Sequence, residues 1–374
     1  MVIGIDLGGT FIKAAIVDPR GRVLARMKRP TEAAMGKERV VDNVFSIVRA
    51  LKAVSFSLGG ISALGMGIPG VIDFRRGVIS TSPNLPGWEN IPIRKMLSRR
   101  VGMPLYLEND ANAAALGEKW MGAAKDVQDF CFITLGTGVG GGLVLDGKIW
   151  HGADGMAGEV GHMTIDPDGP RCRCGNRGCL EMYASAKALQ RMIRQVLSSG
   201  KRSRFFGEIR EKEISGDVIY RAAKAGDRVS REAFARMGSA LGIGIASLVN
   251  LLNLEKVVFG GGLSAAWKFF SPALRGEVKS RAFAAPARRV RIVRAAAGED
   301  AGVLGAAYIA WQGRQWTGNP IRDPGIKSLS LNKWSLLNPP LKKGDIGGFA
   351  LGRLGKIPPH PPLQKGGILF TDKL

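Results

Sequence analysis

Residues 2–17 read Val-Ile-Gly-Ile-Asp-Leu-Gly-Gly-Thr-Phe-Ile-Lys-Ala-Ala-Ile-Val, two β-rich runs (Val2–Ile5 and Ala14–Val17) around the glycine turn Asp6–Thr10. The apolar runs predict strands, and the turn residues between them predict a hairpin. The pattern restarts at residue 130. Phe130–Leu135 leads into Gly136-Thr137-Gly138-Val139-Gly140-Gly141-Gly142 and a second apolar run, Leu143–Leu145. Two halves that open alike indicate a duplicated α/β unit.

Working outward, Val23–Arg29 predicts a third strand. Glu38–Val54 places Val40, Val41, Val44, Ile47, Val48 and Leu51 on one helical face. Ala63–Ile68 and Leu105–Glu108 read as strands, Ser82–Trp88 as a loop and Asp110–Met121 as an Ala-rich helix. After the restart, helices are expected at Ala184–Leu197, Asp217–Ala225, Ser230–Leu252, Ala265–Ser280 and Ala301–Trp311. Strands are expected at Lys256–Phe259 and Val290–Val293.

The 374 residues carry a formal charge of +23 on an otherwise ordinary globular composition, 45% apolar. The basic residues are scattered, with no recognition helix or aromatic RNA-binding signature, so no nucleic-acid partner is expected. The chain opens directly on a strand, without a signal-peptide pattern, and no uninterrupted apolar run approaches the roughly 18 residues of a membrane span. The expected location is the cytoplasm, with no membrane partner. Beyond about Gly313 the sequence turns rich in Pro, Gly and Lys. It repeats itself there, Pro339–Gly344 recurring as Pro361–Gly366. That composition predicts a disordered tail over 314–374.

Three glycine turns each follow a strand: Asp6–Thr10, Gly136–Gly142 and Gly260–Ser264. Such turns let backbone N–H groups approach phosphate oxygens. None is followed by Gly-Lys-Ser/Thr, so none is a P-loop. Asp6 reads either as an Asx-turn residue or as a ligand for magnesium, directly or through water. Glu108-Asn109-Asp110-Ala111-Asn112 stands at a strand-to-helix junction, where Asp110 reads either as a helix N-cap or as a general base. His162 precedes Cys172, Cys174 and Cys179, which together supply four ligands for a closed tetrahedral zinc. The competing reading is three incidental thiols. Cys131 lies in an apolar run and reads as a buried hydrophobe. His151 and His360 have no ligand-like neighbours in the sequence.

Together these motifs resemble the ROK family of sugar kinases and repressors, from Val2 to about Trp311. The resemblance implies a two-lobed α/β fold of the actin-like ATPase (ribonuclease H-like) type. The first lobe would be 1–113 with a returning helix at 297–313, and the second 114–296 with the zinc loop. It implies ATP with Mg2+ as cofactor, held by Asp6, Gly8, Gly9, Thr10 and Lys13, by Gly136, Thr137, Gly138 and Gly140, and by Gly260, Gly261 and Gly262. Many members have Lys directly after the Gly-Gly-Thr, where this chain has Phe11 and then Lys13. By the same resemblance Asp110 is the catalytic base, and Asn84, Asn109, Asp110, Glu159, His162 and Glu181 hold the sugar. The resemblance also implies a structural Zn2+ on His162, Cys172, Cys174 and Cys179, which would orient His162 so that its other nitrogen faces the sugar.

The family's repressors carry a winged helix before the first strand. Here that strand starts at Val2, which favours the enzyme. The implied reaction is ATP-dependent phosphorylation of a hexose at its 6-hydroxyl, by a homodimer. The Cys179–Ser185 context looks most like glucokinases. N-acetylglucosamine, N-acetylmannosamine, fructose and allose are the alternative substrates, and a non-catalytic sugar sensor is the alternative from another class.

Overall fold

The computed structural model describes residues 1–55, 59–82, 84–200, 203, 205–206 and 213–315. Nearly all of the expected tail, and His360 with it, lies outside the described residues.

The first hairpin forms as expected. β1 (Val2–Leu7) and β2 (Phe11–Val17) pair antiparallel, and β3 (Val23–Pro30) adds to β2. Helix α1 (Lys37–Ser55) buries the valine-rich face read from its spacing. β4 (Ala63–Ile68) joins the other side of β1 in parallel. A three-stranded antiparallel sheet then interrupts: β5 (Val71–Asp73), β6 (Val78–Thr81) and β7 (Glu89–Ile91). Helix α2 (Ile93–Val101) follows, and β8 (Leu105–Asn109) completes a sheet of order β3-β2-β1-β4-β8. The sequence reading contained none of β5, β6, β7 or α2. Three- and four-residue strands are too short to show a period.

Helix α3 (Asp110–Met121) leads out of this sheet. The second sheet repeats the first in outline: β9 (Phe130–Leu135), β10 (Val139–Leu145) and the short β11 (Lys148–Ile149) pair antiparallel. The helical segment is α4 (Glu181–Ala184), α5 (Ala186–Ser198), α6 (Gly216–Lys224) and α7 (Arg228–Leu252). The single helix expected at Ala184–Leu197 is thus two. Ser185 breaks it and caps α5, its side chain accepting from the Ala188 N–H. β12 (Lys256–Gly260) pairs parallel with β9, then α8 (Trp267–Arg281) and α9 (Ala284–Arg289) precede β13 (Arg291–Arg294). The order is β11-β10-β9-β12-β13. Among the described residues α7 has the length and apolarity of a membrane span, yet it packs on α8, α4, α5 and α6 in the second core.

Helix α10 (Ala301–Gln315) returns to the first sheet, against β1, β4, β8 and α3. Glycines permit this close contact. A Cβ on Gly4 would come 2.1 Å from the Val303 carbonyl, and one on Gly65 1.7 Å from that of Ala306. Between α3 and α10, Gly305 meets the Ala113 carbonyl at 1.6 Å in the same sense. Each of the two sheets has its own apolar core, and α3 lies between the sheets, touching β4 on one side and β9 and β10 on the other.

Candidate active site

Strands β1, β4 and β8 run parallel, so their C-terminal ends meet at one edge. There Asp6, Gly67 and Glu108 stand in register across the three strands. An open parallel sheet gathers its chemistry at that edge. The next two residues after Glu108 decide the site. Asn109, not Asp110, is the N-cap of α3. Its φ of −63° and ψ of 147° leave it outside the helix, and its Oδ1 accepts the N–H groups of Ala111 at 2.9 Å and Asn112 at 3.2 Å. Its Nδ2 donates to the Gly70 carbonyl at 3.2 Å. The capping reading of Asp110 therefore falls.

Asp110 is the first helical residue, and its Oδ1 accepts the neighbouring Ala111 N–H at 2.9 Å. Burial raises its pKa, backbone hydrogen bonds oppose this, and the nearby Glu159 charge adds to the rise. Asp6 behaves likewise: burial first, then the Asp110 charge, lift it to about 6, while Lys13 pulls the other way. Lys13 pairs across the hairpin from Asp6, and its Nζ reaches Glu299 at 2.9 Å, just before α10. Gly302 leaves room for the Asp6 carboxylate, because a Cβ there would lie 2.9 Å from it.

The glycine turns converge on this edge. Gly9 abuts residue 84, where its Cβ would be 3.0 Å from the Asn84 carbonyl, so the exposed Asn84 lies over the first turn. Gly140 faces the start of α3, its Cβ position 3.5 Å from that of Ala111. Glu181, at the start of α4, accepts the Val139 N–H at 2.9 Å and packs against Gly138. In the third turn Gly261 takes a φ of +79° against Leu135, so it adjoins the end of β9 and hence Gly136. Among the described residues, the N–H groups of Gly9, Thr10, Thr137 and Gly138 appear in no intramolecular hydrogen bond. Donors left open at a strand edge fit phosphate oxygens.

The four expected metal ligands come together. One ligand atom from each of His162, Cys172, Cys174 and Cys179 lies within 4.8 Å of every other. The His162 Nδ1 is 3.7 Å from the Cys172 sulfur, and the Cys174 and Cys179 sulfurs are 3.6 Å apart. Tetrahedral zinc with ordinary bond lengths requires about 3.5 Å for N···S and about 3.8 Å for S···S. Burial, then the Cys174 and Cys172 sulfurs, push the Cys179 thiol upward, an arrangement that a cation would relieve. The residues fit zinc. The Nε2 of His162 lies 4.0 Å from the Glu159 carboxylate. The loop is held by Tyr183, whose hydroxyl donates to Asp166 at 2.6 Å. Cys131 is fully buried in β9, as expected.

Two groups were not legible in the sequence. Glu118, fully buried on α3, accepts the N–H groups of Ala123 at 2.6 Å, Ala296 at 3.0 Å and Ala297 at 2.8 Å. His151 does have a partner: its Nε2 is 2.9 Å from the Glu108 carboxylate. Both pairings join residues far apart in the chain.

A two-lobed α/β frame with paired glycine hairpins, a carboxylate at the strand ends and a Cys3His loop defines the class. Residues 2–313 match the ROK family, and the chain belongs to it. It is 37% identical over 311 residues to the glucokinase of Thermotoga maritima, covering 82% of this chain and 96% of that one. It is 36% identical over 305 residues to the xylose repressor of Caldicellulosiruptor bescii, covering 81% and 76%. The crystal structure of a ROK family glucokinase from Streptomyces griseus, in complex with glucose and AMPPNP, superposes with a TM-score of 0.71. It is 34% identical and covers 83% of this chain and 99% of that one. The expected fold is the one observed.

Proposed function

We propose that this protein is an ATP-dependent sugar kinase that phosphorylates glucose at its 6-hydroxyl, with Asp110 as general base. The observation that carries the reading is the state of Asp110. Asn109 takes over the capping of α3, which leaves the Asp110 carboxylate at the cleft edge with a raised affinity for a proton. A base must sit within reach of the hydroxyl proton and hold it well at neutral pH. Burial, which raises the proton affinity of Asp110, supports the second condition, and its place beside Glu159, Asn109 and Asp6 supports the first.

Asn84, Glu159, His162 and Glu181 would complete the sugar contacts. Many fixed polar partners suit a polyol, and they discriminate against analogues that lack one hydroxyl. The open N–H groups of Gly9, Thr10, Thr137 and Gly138 would take phosphate oxygens, and Asp6 would hold the magnesium ion or its water. ATP with Mg2+, when bound, supplies the phosphoryl group and neutralises its charge. Zinc on His162 and the three cysteines would fix the tautomer and aim of His162. The choice of glucose is supported by the glucokinase relatives at 34–37% identity.

A second reading has a specific basis. At 36% identity the xylose repressor relative is as similar to this chain as the glucokinases at 34–37%. On that reading the protein binds sugar without turning it over.

The test is sugar-dependent ADP release by zinc-loaded protein with ATP and magnesium. Glucose, N-acetylglucosamine, N-acetylmannosamine, fructose and allose would be offered in parallel. Turnover on glucose above the others is expected. Preference for an N-acetylhexosamine would replace the substrate, and no turnover on any sugar would favour the sensor.

A further inference from the structure

Residues 150–157, between β11 and Glu159, form a strap that belongs to the second sheet by sequence but rests on the first. It closes on itself through the Ala157 N–H, which donates to the His151 carbonyl at 3.1 Å. Two of its contacts, among the described residues, reach the first half of the molecule. At one, His151 meets the buried Glu108 carboxylate on β8, its Nε2 2.9 Å from one oxygen and 3.2 Å from the other. The His151 ring also lies 4.6 Å from that of Phe74, in the β5–β6 turn. At the other, Gly155 takes a φ of +88° and a Cβ there would stand 3.0 Å from Phe74 and 3.3 Å from the Ile72 carbonyl.

Glu108 is more than a convenient anchor. It stands two residues before Asp110. Its Oε1 accepts the Asn109 N–H at 3.0 Å and the Asn112 Nδ2 at 3.0 Å, so it ties the end of β8 to the first turn of α3. Its side chain is only 5% exposed, and a buried carboxylate needs each of these donors. The far end of the strap runs through Gly158 to Glu159, whose charge acts on Asp110. One end of the strap thus secures the residues that seat the base, and the other delivers a proposed sugar ligand.

We propose that His151 is a positioning residue. By docking the 150–157 strap on Glu108 and Phe74 it sets the distance between Glu159 and Asp110, and so the fit of the sugar hydroxyls. This rests on the kinase reading above. Reacting groups displaced by about 1 Å lose on the order of a hundred-fold in rate, so a lifted strap is costly without any loss of the reacting groups themselves.

The experiment compares the wild type with His151→Ala, His151→Gln and Gly155→Val in full-length, zinc-loaded protein. Gln keeps a donor near the position of Nε2. Val at 155 lifts the strap from Phe74 while leaving His151 in place. Expected for His151→Ala and Gly155→Val is a loss of about ten- to a hundred-fold in kcat/KM for sugar, with sugar KM raised, ATP KM within about two-fold and zinc content unchanged. His151→Gln should recover most of the loss. Amide hydrogen exchange of 150–158 should quicken in the Ala and Val variants. Sugar kcat/KM within about two-fold of wild type, or a fall in kcat with both KM values unchanged, would overturn the proposal. If the wild type turns over no sugar, the kinase reading fails and exchange alone judges the docking. Equal protection in wild type and His151→Ala then overturns it, and faster exchange in the variant upholds it.

Discussion

The two ends of α3 each hold a carboxylate, Asp110 half-buried and Glu118 fully buried, and they are solved in opposite ways. At the first turn, Asp110 accepts the Ala111 N–H and faces the charges of Asp6 and Glu159. Two turns later, Glu118 has no solvent exposure and accepts three N–H groups, from Ala123, Ala296 and Ala297. Those N–H groups lie on the two segments that join the sheets, 122–129 leading out and 295–300 leading back. The helix dipole favours a negative charge at the Asp110 end and disfavours one near the Glu118 end. Yet burial raises Asp110 all the same, because the dipole and the backbone hydrogen bonds do not offset desolvation. The difference teaches how one side-chain type serves two ends. A carboxylate given few donors keeps its basicity for a substrate proton. One given three donors fastens both crossings between the sheets.

The sharpest way to break this comparison is to neutralise the first carboxylate. Asp110→Asn keeps the shape and the hydrogen bond but removes the proton acceptor. Turnover should fall by about a hundred- to ten-thousand-fold, with stability little changed. Steady-state kinetics on the best sugar measure it. A loss of ten-fold or less would take Asp110 out of the role of base.

Neutralising the second carboxylate should do the reverse. Glu118→Ala leaves three backbone N–H groups without their acceptor in a site closed to water, so about 4 kcal/mol of stability should be lost. Urea unfolding measures that loss. Activity per folded molecule should stay within about three-fold, since Glu118 touches neither the glycine turns nor the proposed sugar ligands. A loss below about 1 kcal/mol would show that water or relaxation replaces the carboxylate.

What the sequence showed and what it hid follow the same division. The glycine hairpins and the Cys3His loop are local: the four metal ligands all fall within residues 162–179, so spacing alone announces them. The choice of cap was not legible. Asn109 and Asp110 are both good N-caps, and only the backbone geometry at Asn109 shows which one stands outside the helix. Ser185 was legible in principle, since a serine before an apolar run marks a helix start, but the continuous helical spacing outweighed it. His151 and Glu118 could not be read at all. Glu108 and His151 are 43 residues apart, and Glu118 and Ala296 are 178 apart. Such pairs are created by the packing of the two halves, and no local pattern records them.

The smallest effect tests whether like charge collects at the Asp110 end. Asp6 in the folded chain holds its proton up to about 6, against 3.8 for an ordinary aspartate. Between those values the folded chain binds more proton than the unfolded one, so stability should fall as pH rises through that window. The contribution is fully present below about 4 and lost above about 6, and the gap corresponds to at most about 3 kcal/mol. Asp110 is shifted the same way by burial and adds to the slope. Urea unfolding of metal-free protein between pH 4 and pH 7 measures the sum, and Asp6→Asn isolates one part. The variant should be more stable than wild type at pH 7 and should lose part of the slope, because the amide carries no charge for burial and Asp110 to oppose. An Asp6→Asn protein with the wild-type slope would mean that the row of acids at the strand ends is already solvated, and that the contrast with Glu118 lies in hydrogen bonding alone.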